Sequence, residues 1–152
     1  MTAERRLVIA IAVVAALGAA VAAYLTYVHY ADVKVLCLAG GHGCAKVQSS
    51  TYAKLAGVPV ALLGLIGYLA LLASLAVRGE AGRFAGALIA LAGFGFSAYL
   101  TYRELFTIKA ICQWCVASAM LMTVLAVLTT TRLLRAEQKP FGTFGPGVGS
   151  RG

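Results

Sequence analysis
The chain has 152 residues, of which 61% are hydrophobic and only 12% charged, with a mean hydropathy of +0.89 and a formal net charge of +8. That balance excludes a water-soluble globular domain and a disordered chain, and describes an integral membrane protein. The positive charge lies at both ends of the apolar runs, so it reads as topogenic and headgroup-binding, not as a nucleic-acid patch.

Four apolar runs follow one another, each near the ~20 residues that cross roughly 30 Å of hydrocarbon. The fold class read from them is an all-α integral membrane protein, a four-transmembrane-helix bundle with spans at about 7–30, 57–78, 84–105 and 111–133. Together they make one membrane catalytic domain over 1–135, with an extracytoplasmic loop and a short interfacial helix, starting near Ser49, between helices 1 and 2. The Gly/Pro-rich stretch 136–152 has no apolar periodicity and reads as a disordered cytoplasmic tail.

The first run could be mistaken for a signal peptide, since Arg5 and Arg6 precede it and Ala20–Ala23 resembles a cleavage site. It is too long for that, and it ends in Tyr24, Tyr27, His29 and Tyr30, which suit an interfacial aromatic belt. With four spans, Arg5, Arg6, Arg78, Arg83, Arg132, Arg135, Lys139 and Arg151 share one side. Lys34, Lys46, Lys54, Arg103 and Lys109 share the other. The positive-inside rule then makes the termini cytoplasmic and turns the loops with the cysteines toward the periplasm or exterior, where disulfides persist.

All four cysteines, Cys37, Cys44, Cys112 and Cys115, fall in two short segments on that outer face. The pentapeptide Ala23-Tyr24-Leu25-Thr26-Tyr27 recurs 75 residues later as Ala98-Tyr99-Leu100-Thr101-Tyr102, and Cys37 maps onto Cys112 by the same offset. Two helices that leave the membrane through the same aromatic segment, each reaching a cysteine ten residues on, bring both thiol segments to one depth.

Cys112-Gln113-Trp114-Cys115 opens the last helix, which puts both sulfurs on one face, one turn apart, where amide N–H groups and the helix dipole favour a thiolate. Read alone, such a pair also fits two buried cysteines acting as small apolar residues. Cys37 and Cys44 enclose a loop with three glycines, which suits either thiol exchange or a static staple. Three disulfide pairings are open among four cysteines. His42, Lys46 and Lys54 are placed to stabilise thiolates. Zinc is the rival chemistry, but Cys-x₆-Cys around a lone histidine is not a zinc knuckle, and no metal site is expected.

A thiol relay at one membrane face needs an electron sink. Gly93-Phe94-Gly95 lies inside an apolar helix, so it marks helix packing instead of a dinucleotide site, as do Gly64 with Gly67 and Gly82 with Gly86. The two histidines, His29 and His42, both near the outer face, do not make a bis-histidine haem site within the bundle. A membrane-soluble quinone fits, because moving a thiol couple from about −300 to about −120 mV corresponds to roughly 8 kcal/mol per two electrons. No charge sits at a helix centre, against a proton-driven transporter.

In these features the chain resembles the bacterial branch of the vitamin K epoxide reductase family. The match covers about Ala3 to Arg135: four helices, a loop cysteine pair first, Ser49-Ser50 after it, and Cys-x-x-Cys opening the last helix. The quinone-linked DsbB-type oxidases are similar in function but carry their Cys-x-x-Cys in the first external loop. The resemblance implies that Cys37 meets a thioredoxin-fold partner, that Cys44 exchanges with Cys112, that Cys115 passes electrons to the quinone, and that Ser50 lies near its head. Apart from the resemblance, Ser50 reads as a cap on the short interfacial helix.

Three departures accompany the resemblance. Many bacterial members carry a fused thioredoxin-like domain, absent here, so a separate DsbA-like partner is expected. Animal members place a tyrosine where this chain has Ala119, which weakens vitamin K epoxide as a substrate. Loop spacing varies across the family, so the Cys-x-x-Cys is the firmer assignment. The expected function is a thiol–disulfide oxidoreductase of the bacterial inner (cytoplasmic) membrane that reoxidises a periplasmic thioredoxin-fold (DsbA-like) protein and passes electrons to menaquinone or ubiquinone. The alternatives are a non-catalytic membrane module with zinc-bound or static-disulfide cysteines, and a reductase whose main product is the reduced quinone.

Overall fold
The computed structural model describes residues 2–38 and 42–138. Gly40 and Gly41, two of the glycines expected to loosen the loop, lie outside the described residues, as does 139–152 of the expected tail.

Helix α1 spans Ala3–Ala31. The Thr2 side chain caps it by accepting from the Arg5 N–H at 3.4 Å, and Asp32, left-handed at φ 52°, closes it by donating its N–H to the Val28 carbonyl. A short helix α2, Gly43–Gln48, follows, then one 3-10 turn at Thr51–Ala53 and a two-stranded hairpin of β1, Lys54–Leu55, and β2, Val58–Pro59. Helix α3 is Val60–Ala76, helix α4 is Glu80–Arg103, continued by a π-helical turn at Glu104–Ile108, and helix α5 is Gln113–Gln138.

Two expectations are corrected here. The short helix expected from Ser49 instead ends before it and carries Cys44. The hydroxyls of Ser49 and Ser50 donate to the carbonyls of Lys46 and Val47 at 3.2 and 2.7 Å, competing with the backbone bonds that would continue the helix. The last helix runs through Gln138, beyond the Arg135 boundary expected for the membrane domain.

Three helices, Ala3–Ala31, the continuous Glu80–Ile108 and Gln113–Gln138, are long and apolar enough to cross a membrane. Helix α3 is the most apolar of the four but has 17 residues. Its first expected residues go to the hairpin, whose turn holds Ala56 and Gly57 at φ 52° and 83°, and Pro59, lacking an N–H, sits at the boundary where the helix begins.

Helices α1 and α4 each pack against both α3 and α5, giving a four-sided bundle. Its core joins Ile11, Ala15 and Ala22 of α1, Tyr68 and Leu71 of α3, Ala90 of α4 and Met122 and Leu125 of α5. Gly18 is required opposite Tyr68, because a Cβ there would overlap the ring. The Tyr68 hydroxyl, buried in that core, donates to the Ser118 carbonyl at 3.0 Å and lies 2.9 Å from its Oγ. Among the other glycines, Gly82, Gly86 and Gly93 do mark close approaches, whereas Gly67 and Gly95 meet nothing within 4 Å.

At one end of the bundle Glu4 accepts from Arg132 Nε at 2.8 Å and lies 3.6 Å from Arg83 Nη2, tying α1, α4 and α5. Val13, Leu17, Leu88, Met120 and Val127 point outward and exposed, a surface that suits lipid, not water. The cysteines gather at the opposite end.

Candidate active site
Cys37 and Cys44 are joined in a disulfide, with their Cα atoms 6.3 Å apart, while Cys112 and Cys115 are free thiols. The four are not scattered. Cys44 and Cys112, 1% and 0% exposed, form one buried cluster with Val47, and Cys37, Cys115, Trp114, Val35 and Ile108 pack around it. The depth match expected from the pentapeptide echo is therefore present as contact, and the two pentapeptides share local geometry. Thr26 Oγ1 donates to Ala22 O at 2.7 Å, and Thr101 Oγ1 to Ser97 O at 2.9 Å.

Several contacts bring the segments together. Gly43, the first residue of α2, packs so closely on the loop before α5 that a Cβ would lie 2.5 Å from the Ile111 carbonyl oxygen. Only glycine allows Cys44 that near Cys112. Trp114 Nε1 donates to the Leu36 carbonyl at 2.7 Å, and its ring lies 5.3 Å from that of Tyr24, whose hydroxyl accepts from the Leu36 N–H at 3.2 Å. The segment leading to Cys37 is thus fastened to the Cys-x-x-Cys turn.

Cys112 stands immediately before α5 and its carbonyl accepts the Val116 N–H at 3.0 Å, the first bond of the helix. A hydrogen bond from the Cys115 thiol is the main cause that holds the Cys112 thiol down to about 7. The N–H groups of Cys115 and Trp114 act in the same direction, against burial and the nearby Glu104 carboxylate. Cys112 is the member of the pair prepared as a thiolate.

Cys115 faces a cavity of about 120 Å³ that opens among α1, the 3-10 turn, α3, α4 and α5. Leu25, Val60, Phe96 and Leu100 make its walls apolar, and Ser50, Gln48, Tyr52 and Glu104 supply polar groups. Gln48 Nε2 donates to Cys115 Sγ at 3.8 Å. Ser50 lines the cavity, but its hydroxyl proton is already given to Val47 O. Nor does Ser50 make a side-chain cap to the turn that follows. Tyr52 is held by Arg103, whose guanidinium carbon lies 5.0 Å from its ring centroid and 5.3 Å from that of Tyr99.

A profile of the vitamin K epoxide reductase family matches residues 9–130, the greater part of the chain. The chain belongs to the vitamin K epoxide reductase family. It is a membrane thiol–disulfide oxidoreductase, and the disulfide and nearby thiols are the redox groups such a protein requires. Ala119, where animal members of the family place a tyrosine, lines the cavity.

Gln48, Tyr52 and Glu104 were not singled out from the sequence. Glu104 carried a usable signal: acidic residues are scarce in this chain, and near the cysteine-side ends of the apolar runs only Asp32 and Glu104 occur. Gln48 and Tyr52 carried none, because their place in the cavity depends on how the loop folds back over the bundle. His42, expected to aid thiolates, stands at the start of α2 with no side-chain cap bond. Among the described residues no three His, Cys, Asp or Glu side chains cluster as a metal site would need.

Proposed function
We propose that the protein reoxidises a thioredoxin-fold, DsbA-like partner on the outer face of the bacterial inner membrane and delivers the electrons to a quinone. The observation that carries this reading is that all four cysteines gather at one place, Cys37 and Cys115 packed around the buried Cys44 and Cys112, with Cys115 opening onto an apolar cavity. In this reading α3 is the fourth span, its 17 residues reaching about 25 Å at 1.5 Å per residue. The termini are cytoplasmic, α2 lies along the outer interface, and the tail after Arg135 continues into the cytoplasm.

The partner's thiolate attacks Cys37, and the disulfide of the loop passes to the partner as Cys37 and Cys44 become thiols. Cys44, already packed against Cys112, then exchanges with a Cys112–Cys115 disulfide. The loop is oxidised again and the inner pair is left as thiols, the pairing described above. The cavity suits the flat head of a quinone: its walls are apolar, Cys115 borders it, and Gln48 and Tyr52 keep hydrogens to donate toward a ring oxygen, with Ser50 completing the wall. A bound quinone, menaquinone or ubiquinone, supplies a two-electron sink of high potential.

Reconstituted protein is expected to oxidise a reduced thioredoxin-fold partner only when quinone is present. Cys115→Ala should abolish turnover, and Cys44→Ala should trap a mixed disulfide between Cys37 and the partner. Full turnover by the Cys115→Ala protein would refute the terminal role assigned to that thiol.

A further inference from the structure
Glu104 is a buried acid that the relay leaves without a task. Only 5% of it is exposed, and it forms the first residue of the π-helical turn between α4 and α5. Its backbone carbonyl accepts from the N–H groups of Lys109 and Ala110, and its Oε2 accepts from the Cys112 N–H at 3.4 Å. The same carboxyl borders the cavity that Cys115 also lines, close enough for each to act on the other's charge. Among the described residues it pairs with no cation: the ion pairs are those of Glu4. A buried carboxylate without a cation is costly, so an apolar side chain would serve the packing better.

The surrounding charges do not account for it. From the start of α5 it meets Cys112 and Cys115, and the 3-10 turn brings Tyr52 to the same cavity. Lys46 on α2 and Lys109 at the end of the π turn are exposed, and Arg103 is engaged with the rings of Tyr52 and Tyr99. Of the residues lining the cavity, Glu104 carries the one carboxyl group.

We propose that Glu104 is a catalytic proton shuttle for Cys115. When the Cys44 thiolate attacks Cys112, the S–S bond to Cys115 breaks and the electron pair leaves on Cys115 Sγ. Glu104, as the acid, gives its proton to that sulfur and becomes a carboxylate. When the Cys112–Cys115 disulfide re-forms and two electrons pass to an acceptor of the quinone class, the Cys115 proton returns to Glu104. Over a full cycle Glu104 ends as it began, and the two protons lost by the partner dithiol equal the two gained by the hydroquinone. Cys115 is thereby protonated and deprotonated inside an apolar wall without reaching bulk water.

This inference rests on the relay reading above, and its test separates the two. Full-length protein in lipid nanodiscs, free of quinone and with the inner pair oxidised, is mixed with a small dithiol. Transfer from the loop to Cys112–Cys115 is then followed by acid quench and alkylation across pH 5 to 9. Glu104→Gln, close to isosteric, is expected to slow that transfer about a hundredfold, in the range of general acid catalysis, and to flatten its pH profile; Glu104→Asp should restore the pH dependence at reduced rate. A redox-difference infrared spectrum of the unmutated chain should show a protonated carboxyl band with the inner pair oxidised that is lost on reduction, a measurement that does not require the variants to fold. Wild-type protein that fails to transfer at all would defeat the relay reading. Transfer by the Gln variant at the wild-type rate and profile, or absence of the carboxyl band, would overturn the role of Glu104 alone.

Discussion
The two thiols of the inner pair occupy unequal surroundings, and that inequality divides their labour. Cys112 receives hydrogen bonds from the Cys115 thiol and from backbone N–H groups at a helix start, so its proton leaves near pH 7. The sign follows: below the lowered value the thiol is protonated and unreactive, and above it the thiolate is fully formed. The rate at which Cys112 of the reduced pair attacks the Cys37–Cys44 disulfide should therefore climb about tenfold per pH unit up to ~7 and then level off. An ordinary thiol would keep climbing toward 9.0. In Cys115→Ala, which removes the main stabilising hydrogen bond, the plateau should move to higher pH; rapid-quench alkylation measures both profiles. The reactive pair was legible from Cys-x-x-Cys alone, because four residues at a helix start have few ways to arrange themselves. Ser50 was singled out only through the family resemblance, and its proton points at Val47 O, a detail set by how α2 ends.

At the level of elements, the loop helix α2 decides whether the two pairs can communicate. It places Cys44 against Cys112 only because Gly43 lets the backbones touch at Ile111. Gly43→Ala should cost about 1–3 kcal/mol, as overpacking against backbone usually does, and should slow exchange between the loop and the inner pair more than it slows attack by an outside thiol on Cys37. Thermal unfolding and the two exchange rates check this. Equal slowing of both reactions would argue that α2 merely loosens. The position of α2 was not legible, since six residues carry too short a pattern to be located by periodicity. The hairpin after it was hidden for a related reason: its turn uses Ala56 at φ 52° with Gly57, without the Asn-Gly or Asp-Gly pair that announces such turns.

For the whole molecule, the bundle is held at its centre by packing and at one end by ions, and the two should differ in weight. Tyr68 is fully buried between α1 and α5, fits the space left by Gly18, and hydrogen-bonds Ser118. Tyr68→Ala is expected to cost about 3–5 kcal/mol by leaving a cavity. Glu4 is about a third exposed, so Glu4→Gln should cost less than about 1 kcal/mol despite removing both contacts to Arg83 and Arg132. Unfolding by a denaturing detergent in lipid–detergent micelles ranks them, and a larger loss from Glu4→Gln would mean that the ion cluster, not the core, sets stability.

From the sequence alone came the membrane class, the apolar helices, the gathering of the thiols at one end and the family resemblance, because hydropathy, the pentapeptide echo and short-range cysteine spacing are all local. Tertiary structure decided which cysteines pair, that Cys44 abuts Cys112, and that Gln48, Tyr52 and Glu104 surround Cys115. The contacts that bring Cys44, Gln48 and Tyr52 to the inner pair join residues tens of positions apart, and they exist only once the loop has folded back onto the helix ends.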